Sequence, residues 1–325
     1  MEPIHVVCCP DNNYTMPTGV MLCSLCENNK DVELIIHVPY VDLEEENILL
    51  IKKVVESYQQ TVIFYNIIKS SLPQIHVPVR QRNLPTSAYI RLFLGSILSK
   101  NIHRVLYLDG DIIVRKSITN LYNTDMLETG VAVVPDRKLS YNDIHKTYNA
   151  LDYSPSLGYF NSGVLLINLD YWRENNIERQ ILDTIRKYMK VLYNSDQEVL
   201  NKVFCESKIN LPLTYNFQHD FLAKPEYRMI SWEYNHEIDE TAKDPVILHY
   251  TGAKPWMASC DHPYKEEFLK YKALTIWKDV PVKGKIKWEV RKLIKKIMMW
   301  LKIPYNYYYV EWAYSYSDLK ESVKS

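Results

Sequence analysis

The chain has no net charge. Its 39 lysines and arginines balance 39 aspartates and glutamates over 325 residues, and the isoelectric point lies near 7.1. No global field argues for nucleic acid, so any electrostatic function must be local. Long apolar runs are missing too, and no stretch is apolar over the length needed to span a bilayer. The opening MEPIHVVCCPDNNY lacks a basic segment followed by an apolar one, which gives the expectation of a protein made and kept in the cytosol. Cys23 and Cys26 form a C-x-x-C without a second pair at zinc spacing. Two cysteines three apart share a helix face, so packing is the expected role, and all six cysteines are expected as reduced thiols. No internal repeat or low-complexity segment interrupts the body of the chain.

What is present is the composition of an ordinary globular protein, 47% hydrophobic and 24% charged. Short buried strands are predicted at 4–9 and 32–38 and a further strand at 61–65, with a helix after Asp11 and Asn12 and another opened by Asp42 and Glu44 to Glu46. A further helix at 86–98 leads to a strand ending at Asp109, and strands are expected at 131–134, 163–168 and 246–250. Alternation of this kind predicts an α/β fold with a mostly parallel sheet covered on both faces. Ligands bind such sheets beyond the carboxyl ends of the strands, where 11–14 and 109–111 both fall.

The segment RVLYLDGDIIV sets Asp109 and Asp111 around Gly110, just past an apolar run. Carboxylates are the ligands Mg²⁺ and Mn²⁺ prefer, and these ions complete their shell with substrate phosphates. Asp-Gly between apolar residues is equally a hairpin signal, and the segment alone leaves both readings open.

Six motifs in order, CCPDNNY, SAYIRLFLG, VLYLDGDIIV, GYFNSGVLLINLDYWR, NSDQEVLN and LHYTGAKPW, resemble glycosyltransferase family 8, particularly the bacterial lipopolysaccharide galactosyl- and glucosyltransferases. The resemblance implies a Rossmann-like GT-A catalytic domain at 1–280, a UDP-galactose or UDP-glucose donor and a saccharide or glycolipid acceptor. It also implies Mn²⁺, with Mg²⁺ as the other candidate, and retention of anomeric configuration.

Residue by residue, the resemblance makes Asp11, Asn13 and Tyr14 contacts of the uracil, ribose and base face; a carboxylate can accept a base N–H and an aromatic ring can stack. Capping of the next helix is the alternative for Asp11 and Asn12. Arg91 matches the donor-site arginine, against a merely solvated arginine on a helix. Asp109, Asp111 and His249 match the metal ligands, His249 otherwise being a core histidine. Gly110 lets a nucleotide approach the backbone closely, and Gly252 and Lys254 match the diphosphate contacts, with a solvated loop as the alternative for the lysine. Asp196 and Gln197 match the pair beside the anomeric carbon, Asp196 as a hydroxyl contact and Gln197 as a polar support. A glutamine is a poor nucleophile, which favours front-side attack over a double displacement; a helix N-cap is compatible with both roles. Asn161 and Asp136 match positions facing the donor sugar or acceptor, or serve as turn residues.

Beyond residue 280 lysine and arginine interleave with apolar and aromatic residues, and Ile286, Val290, Leu293, Ile294, Ile297 and Leu301 share one helical face. The expectation for 281–325 is a basic amphipathic helix on an anionic membrane surface, anchored by Trp288, Trp300 and the tyrosines of 305–309, on the inner face of the cytoplasmic membrane. The alternative is a helix packed on the catalytic domain. Rival functions are a D-x-D phosphotransferase, disfavoured because Ile112 follows Asp111, a non-catalytic nucleotide-sugar-binding protein, and a self-glycosylating transferase similar to glycogenin, suggested by 26 tyrosines.

Overall fold

The computed structural model describes residues 2–68, 87–126, 128–136, 148–152, 154–188, 191–192, 195–224 and 234–284, with 290, 293, 297 and 298 beyond. Its strands are β1 Ile4–Val7, β2 Leu34–Tyr40, β3 Thr61–Asn66, β4 Arg104–Leu108, β5 Ile112–Val114, β6 Val131–Pro135, β7 Phe160–Asn168, β8 Lys208–Asn210, β9 Phe217–Gln218 and β10 Ile247–His249. Among the described residues they form a main sheet in the order β3-β2-β1-β4-β7-β6-β8 and a small sheet in the order β5-β10-β9. Strands β3, β2, β1 and β4 run parallel, β7 is antiparallel to β4 and β6, and β8 is parallel to β6. The expected mostly parallel α/β sheet is therefore present. From β1 the chain steps outward to β2 and β3, then returns to place β4 on the other side of β1. That reversal opens a crevice beyond the carboxyl ends of β1 and β4.

Side chains alternate across the central strands. Val6, Leu106 and Leu108 join one buried cluster, while Val7, Val105 and Tyr107 join the opposite one, so both faces are dry. On the first face lies helix α1, Thr15–Glu27, buried from Thr15 through Cys26 apart from Met16. Pro17 is tolerated in its first turn because the amides there have no partner within the helix. Cys23 and Cys26 lie in this helix as unlinked, buried thiols, as the packing role requires. Helix α2, Glu45–Glu56, sends Ile51, Val54 and Val55 into the core and leaves its charged face in water. Trp277 packs with Cys23 and Val54, and a Cβ on Gly19 would meet its ring at 2.1 Å, so α1 needs a glycine there.

One alternative falls away and one expectation changes. The segment 109–111 is no hairpin: β4 pairs with β1 and β7, whereas β5 pairs with β10 in the other sheet. The helix expected at 86–98 is broken into Ser87–Ile90, a tight 3₁₀ turn Arg91–Phe93 and Leu94–Ile97. The reason is that Arg91 turns inward, its Nε donating to the Ala88 carbonyl, while Arg173 takes the carbonyls of Gly95 and Leu98. The packed body also runs past 280, since Lys283 donates its amide to Trp256 and accepts from Ala258. Most of the basic segment at 281–325, including Ile286, Ile294, Leu301 and the tyrosines of 305–309, lies outside the described residues. Val290, Leu293 and Ile297 are helical and about half exposed, at 51%, 58% and 47%.

Across β1, β2 and β3, His5 Nδ1 lies 2.9 Å from His37 Nε2, and His37 Nδ1 lies 2.8 Å from the Tyr65 hydroxyl. Burial, with the neighbouring His5, lowers the His37 pKa from 6.5 to about 4. The unfolded chain therefore takes up this proton first, and the stability it contributes is lost as pH falls from 6.5 toward about 4. The expected loss is up to about 3 kcal/mol, with His262 adding in the same direction. Denaturant titrations across this window should show the slope, and His37→Gln should flatten it; an unchanged slope would refute the assignment.

Candidate active site

The crevice begins with the loop after β1. Asp11 Oδ1 accepts the amides of Asn13 at 2.8 Å and Tyr14 at 2.9 Å, which turns the chain into α1. Asp11 thus does the work of a cap one turn ahead of the helix, while Asn12 accepts from the Glu44 amide and ties the loop to α2. Asn13 is exposed, and half-buried Tyr14 meets Trp256 edge to face at 5.7 Å. Gly110 faces this turn: a Cβ there would lie 2.4 Å from Thr18 Oγ1 and 3.3 Å from the Tyr14 ring. Helix packing already demands that glycine.

Strand pairing delivers the third member of the cluster. In the β5–β10 register His249 stands opposite Ile112, and the Tyr250 amide donates to the Asp111 carbonyl. His249 Nε2 lies 3.3 Å from Asp111 Oδ1 and 3.9 Å from Asp109 Oδ2, and one ligand atom from each residue falls within 4.8 Å of the others. His249 Nδ1 donates to Asn216 Oδ1 at 2.9 Å, which leaves the Nε2 lone pair facing the carboxylates. Two carboxylates and one oriented imidazole fit a divalent cation. Gly163 completes the fit, because a Cβ there would lie 2.2 Å from His249 Cε1 and 2.8 Å from Asp109 Oδ2.

The Lys254 ammonium reaches Asp111 Oδ2 at 2.5 Å and the Tyr250 carbonyl at 2.6 Å. Burial alone would raise the Asp111 carboxyl, but Lys254 and His249 outweigh it and hold the group well below the usual carboxylate range. Gly252 lies against the His219 ring, 2.6 Å from where a Cβ would sit.

Arg91 is buried and bridges two acids. Its Nη1 lies 3.0 Å from Asp109 Oδ1, its Nε lies 3.4 Å from Asp196 Oδ2, and Nη1 also donates to the Ser162 carbonyl. Burial pushes the Asp196 carboxyl up, against the pull of Arg91.

Asp196 and Gln197 stand in the first turn of the helix Ser195–Val203, which Asn201 pins to β7 through both backbone groups of Phe160. Gln197 Nε2 donates to Asp136 Oδ2 at 2.7 Å, and its Oε1 accepts from the Ser162 amide at 3.1 Å and Asn161 Nδ2 at 3.3 Å. Asn161 Oδ1 in turn accepts from Asn216 Nδ2 at 2.9 Å. A register shift between β6 and β7, after Val133, frees Ser162 and Gly163 from regular pairing and turns them into the site.

Ion pairs and hydrogen bonds link Arg91, Asp109, Asp111, Asp196, His249 and Lys254, and join His249 through Asn216 to Asn161, Gln197 and Asp136; Gly110 packs on the Tyr14 turn, Asp11 and Asn13 stand in the loop before it, and Gly252 lies against His219. The residues missed from sequence were Tyr107, Ser162, Gly163, Asn201 and Asn216. Ser162 and Gly163 sit inside the quoted FNSG segment, whereas nothing in the sequence singles out Asn216.

A family model, glycosyl transferase family 8, matches residues 5–260. The chain belongs to this family. It is a glycosyltransferase, and its GT-A-type fold and six ordered motifs agree with that membership. Over 287 residues it is 25% identical to general stress protein A of Bacillus subtilis (strain 168), covering 86% of this chain and 96% of that protein. A lipopolysaccharide 1,2-glucosyltransferase of Escherichia coli is 29% identical over 281 residues, 85% of this chain and 80% of the relative. The crystal structure of the galactosyltransferase LgtC with donor and acceptor sugar analogues superposes with a TM-score of 0.71 at 24% identity, over 84% of this chain and 96% of that one, and shares the fold.

The transferase should not tolerate a methyl group at Gly163. Gly163→Ala is expected to weaken binding of a divalent cation at least about tenfold in calorimetric titration, with an unchanged circular dichroism spectrum. Native affinity in that variant would show that His249 and Asp109 are not the ligands.

Proposed function

We propose that this family 8 enzyme transfers galactose or glucose from a UDP-sugar to a saccharide acceptor in surface-glycan synthesis, with retention of configuration and with Mn²⁺, or Mg²⁺, held by Asp109, Asp111 and His249. The observation that carries the reading is the convergence of those three side chains at the strand-order reversal, beside the polar wall of Gln197, Asn161 and Asp136. When bound, the cation supplies Lewis-acid stabilisation of the charge that develops on the diphosphate leaving group. Lys254 holds an ammonium beside the same carboxylates, where it can offset part of that charge. In this reading Asp11, Asn13 and Tyr14 serve the nucleoside, supported by Tyr14 standing next to Gly110, and Gly252 and Lys254 serve the diphosphate. Asp196 takes the role of a sugar-hydroxyl contact in this reading, supported by its link through Arg91 to Asp109.

Gln197 is held as a support. Its carbonyl oxygen is taken up by donors from Ser162 and Asn161, and a carboxamide is in any case a poor nucleophile. This favours front-side attack through a short-lived oxocarbenium-like ion pair over a covalent glycosyl intermediate. The buried Arg91 pairing of Asp109 with Asp196 suits catalysis better than simple capture of a nucleotide sugar.

The acceptor reading includes a lipid-linked glycan, with the segment after residue 284 lying on an anionic membrane surface at the cytoplasmic side. Half-exposed Val290, Leu293 and Ile297 support it, spaced to share a helix face. No helix among the described residues is long and apolar enough to cross a membrane.

Calorimetric titration of UDP with and without Mn²⁺ tests the donor site. Metal-dependent binding is expected for the wild type and a loss of at least about a hundredfold for Asp109→Asn/Asp111→Asn; a folded wild type that binds no UDP in any condition would overturn the reading. Truncation after Gly284, which spares the Lys283 pairing, is expected to abolish sedimentation with anionic vesicles while leaving UDP affinity unchanged. Vesicle binding that survives the truncation would remove the membrane role.

A further inference from the structure

Tyr107 precedes Asp109 by two residues at the end of β4, so the two side chains fall on the same face of the strand. Tyr107 is only 2% exposed, and its hydroxyl donates to Asp109 Oδ1 at 2.7 Å. Arg91 Nη1 approaches the same oxygen at 3.0 Å, and the guanidinium carbon lies 4.4 Å above the Tyr107 ring. One oxygen of the carboxylate thus has two donors. The other, Oδ2, faces His249 Nε2 at 3.9 Å, with Gly163 behind it.

We propose that Tyr107 is a positioning residue of this transferase: its hydroxyl, together with Arg91, occupies Oδ1 of Asp109 and leaves Oδ2 as the single atom offered to the cation. The inference rests on the metal reading above. A carboxylate held in this way acts as a one-oxygen ligand, which suits a small octahedral cation. Ca²⁺, by contrast, readily takes both oxygens of a carboxylate at longer distance. The clamp therefore favours Mn²⁺ over Ca²⁺. The same ring carries Arg91, whose Nε reaches Asp196, so one tyrosine sets both the orientation of the metal-side acid and the seat of the arginine that joins it to the sugar-side acid.

Tyr107→Phe removes the hydroxyl and keeps the ring under Arg91. Titration of Mn²⁺ and of Ca²⁺ in the presence of UDP should give a Kd for Mn²⁺ raised about tenfold, a smaller change for Ca²⁺, and a kcat that returns toward the wild-type value at saturating Mn²⁺. Replacement of Tyr107 by 4-aminophenylalanine, which restores a donor on the same ring, should restore the preference for Mn²⁺. A folded Tyr107→Phe with unchanged Mn²⁺ affinity, or with equal losses for both cations, would overturn the proposal. If Tyr107→Phe does not fold, the 4-aminophenylalanine variant decides: wild-type selectivity supports the clamp and a tenfold loss overturns it. A wild type that binds neither Mn²⁺ nor UDP removes the metal reading and the clamp with it, whereas a wild type that binds both, matched by Tyr107→Phe, removes the clamp alone.

Discussion

Three carboxylates, Asp109, Asp111 and Asp196, are gathered into one largely buried crevice, and the cost of keeping like charges there is the constraint on which the site depends. An ion taken out of water is tolerated only when it is paired and hydrogen-bonded. Arg91 answers for two of the acids and Lys254 for the third. The backbone is arranged around these pairings. The turn at Arg91–Phe93 interrupts what would otherwise be a continuous helix, and the loop after β10 brings Lys254 back over Asp111.

The fold supplies the geometry through strand order. Because β4 lies beside β1 although two strands intervene in sequence, the loops after both strands open onto the same crevice. The small sheet then adds what a parallel sheet alone could not, a histidine from more than a hundred residues further along the chain, set in place by pairing with β5. Its packing is close enough that Gly163 and Gly252 are both required by neighbouring imidazole rings.

Much of this was legible in the sequence. Apolar runs and helix-start signals located β1 to β4, α1 and α2; α2 buries a regular stripe, whereas α1 is buried nearly all round. The cluster of Asp109, Asp111 and His249 was legible only through ordered motifs, since a lone Asp-Gly-Asp reads equally well as a hairpin. Sequence could not show that β4 and β5 enter different sheets, because both are apolar runs whose partners lie far away in the chain. The break at Arg91 was hidden for a related reason: good helix formers surround it, and the groups that explain why the helix yields, among them Arg173 on the carbonyls of Gly95 and Leu98, come from far along the chain. Asn216 was invisible because its role exists only in three dimensions, between His249 and Asn161.

The hydrogen bonds through Asn216 all point one way. His249 donates to Asn216, Asn216 to Asn161, Asn161 to Gln197, and Gln197 to Asp136. Each side-chain amide can satisfy this order in one orientation only. The sequence of donors ends on an anion, which fixes the sense of every bond before it and so the tautomer of the imidazole at its start. Deamidation of Asn161 or Asn216 would exchange a donor for an acceptor and break that sense at its middle, making chemical ageing of one buried amide a route to inactivation that leaves Asp109, Asp111 and His249 unaltered.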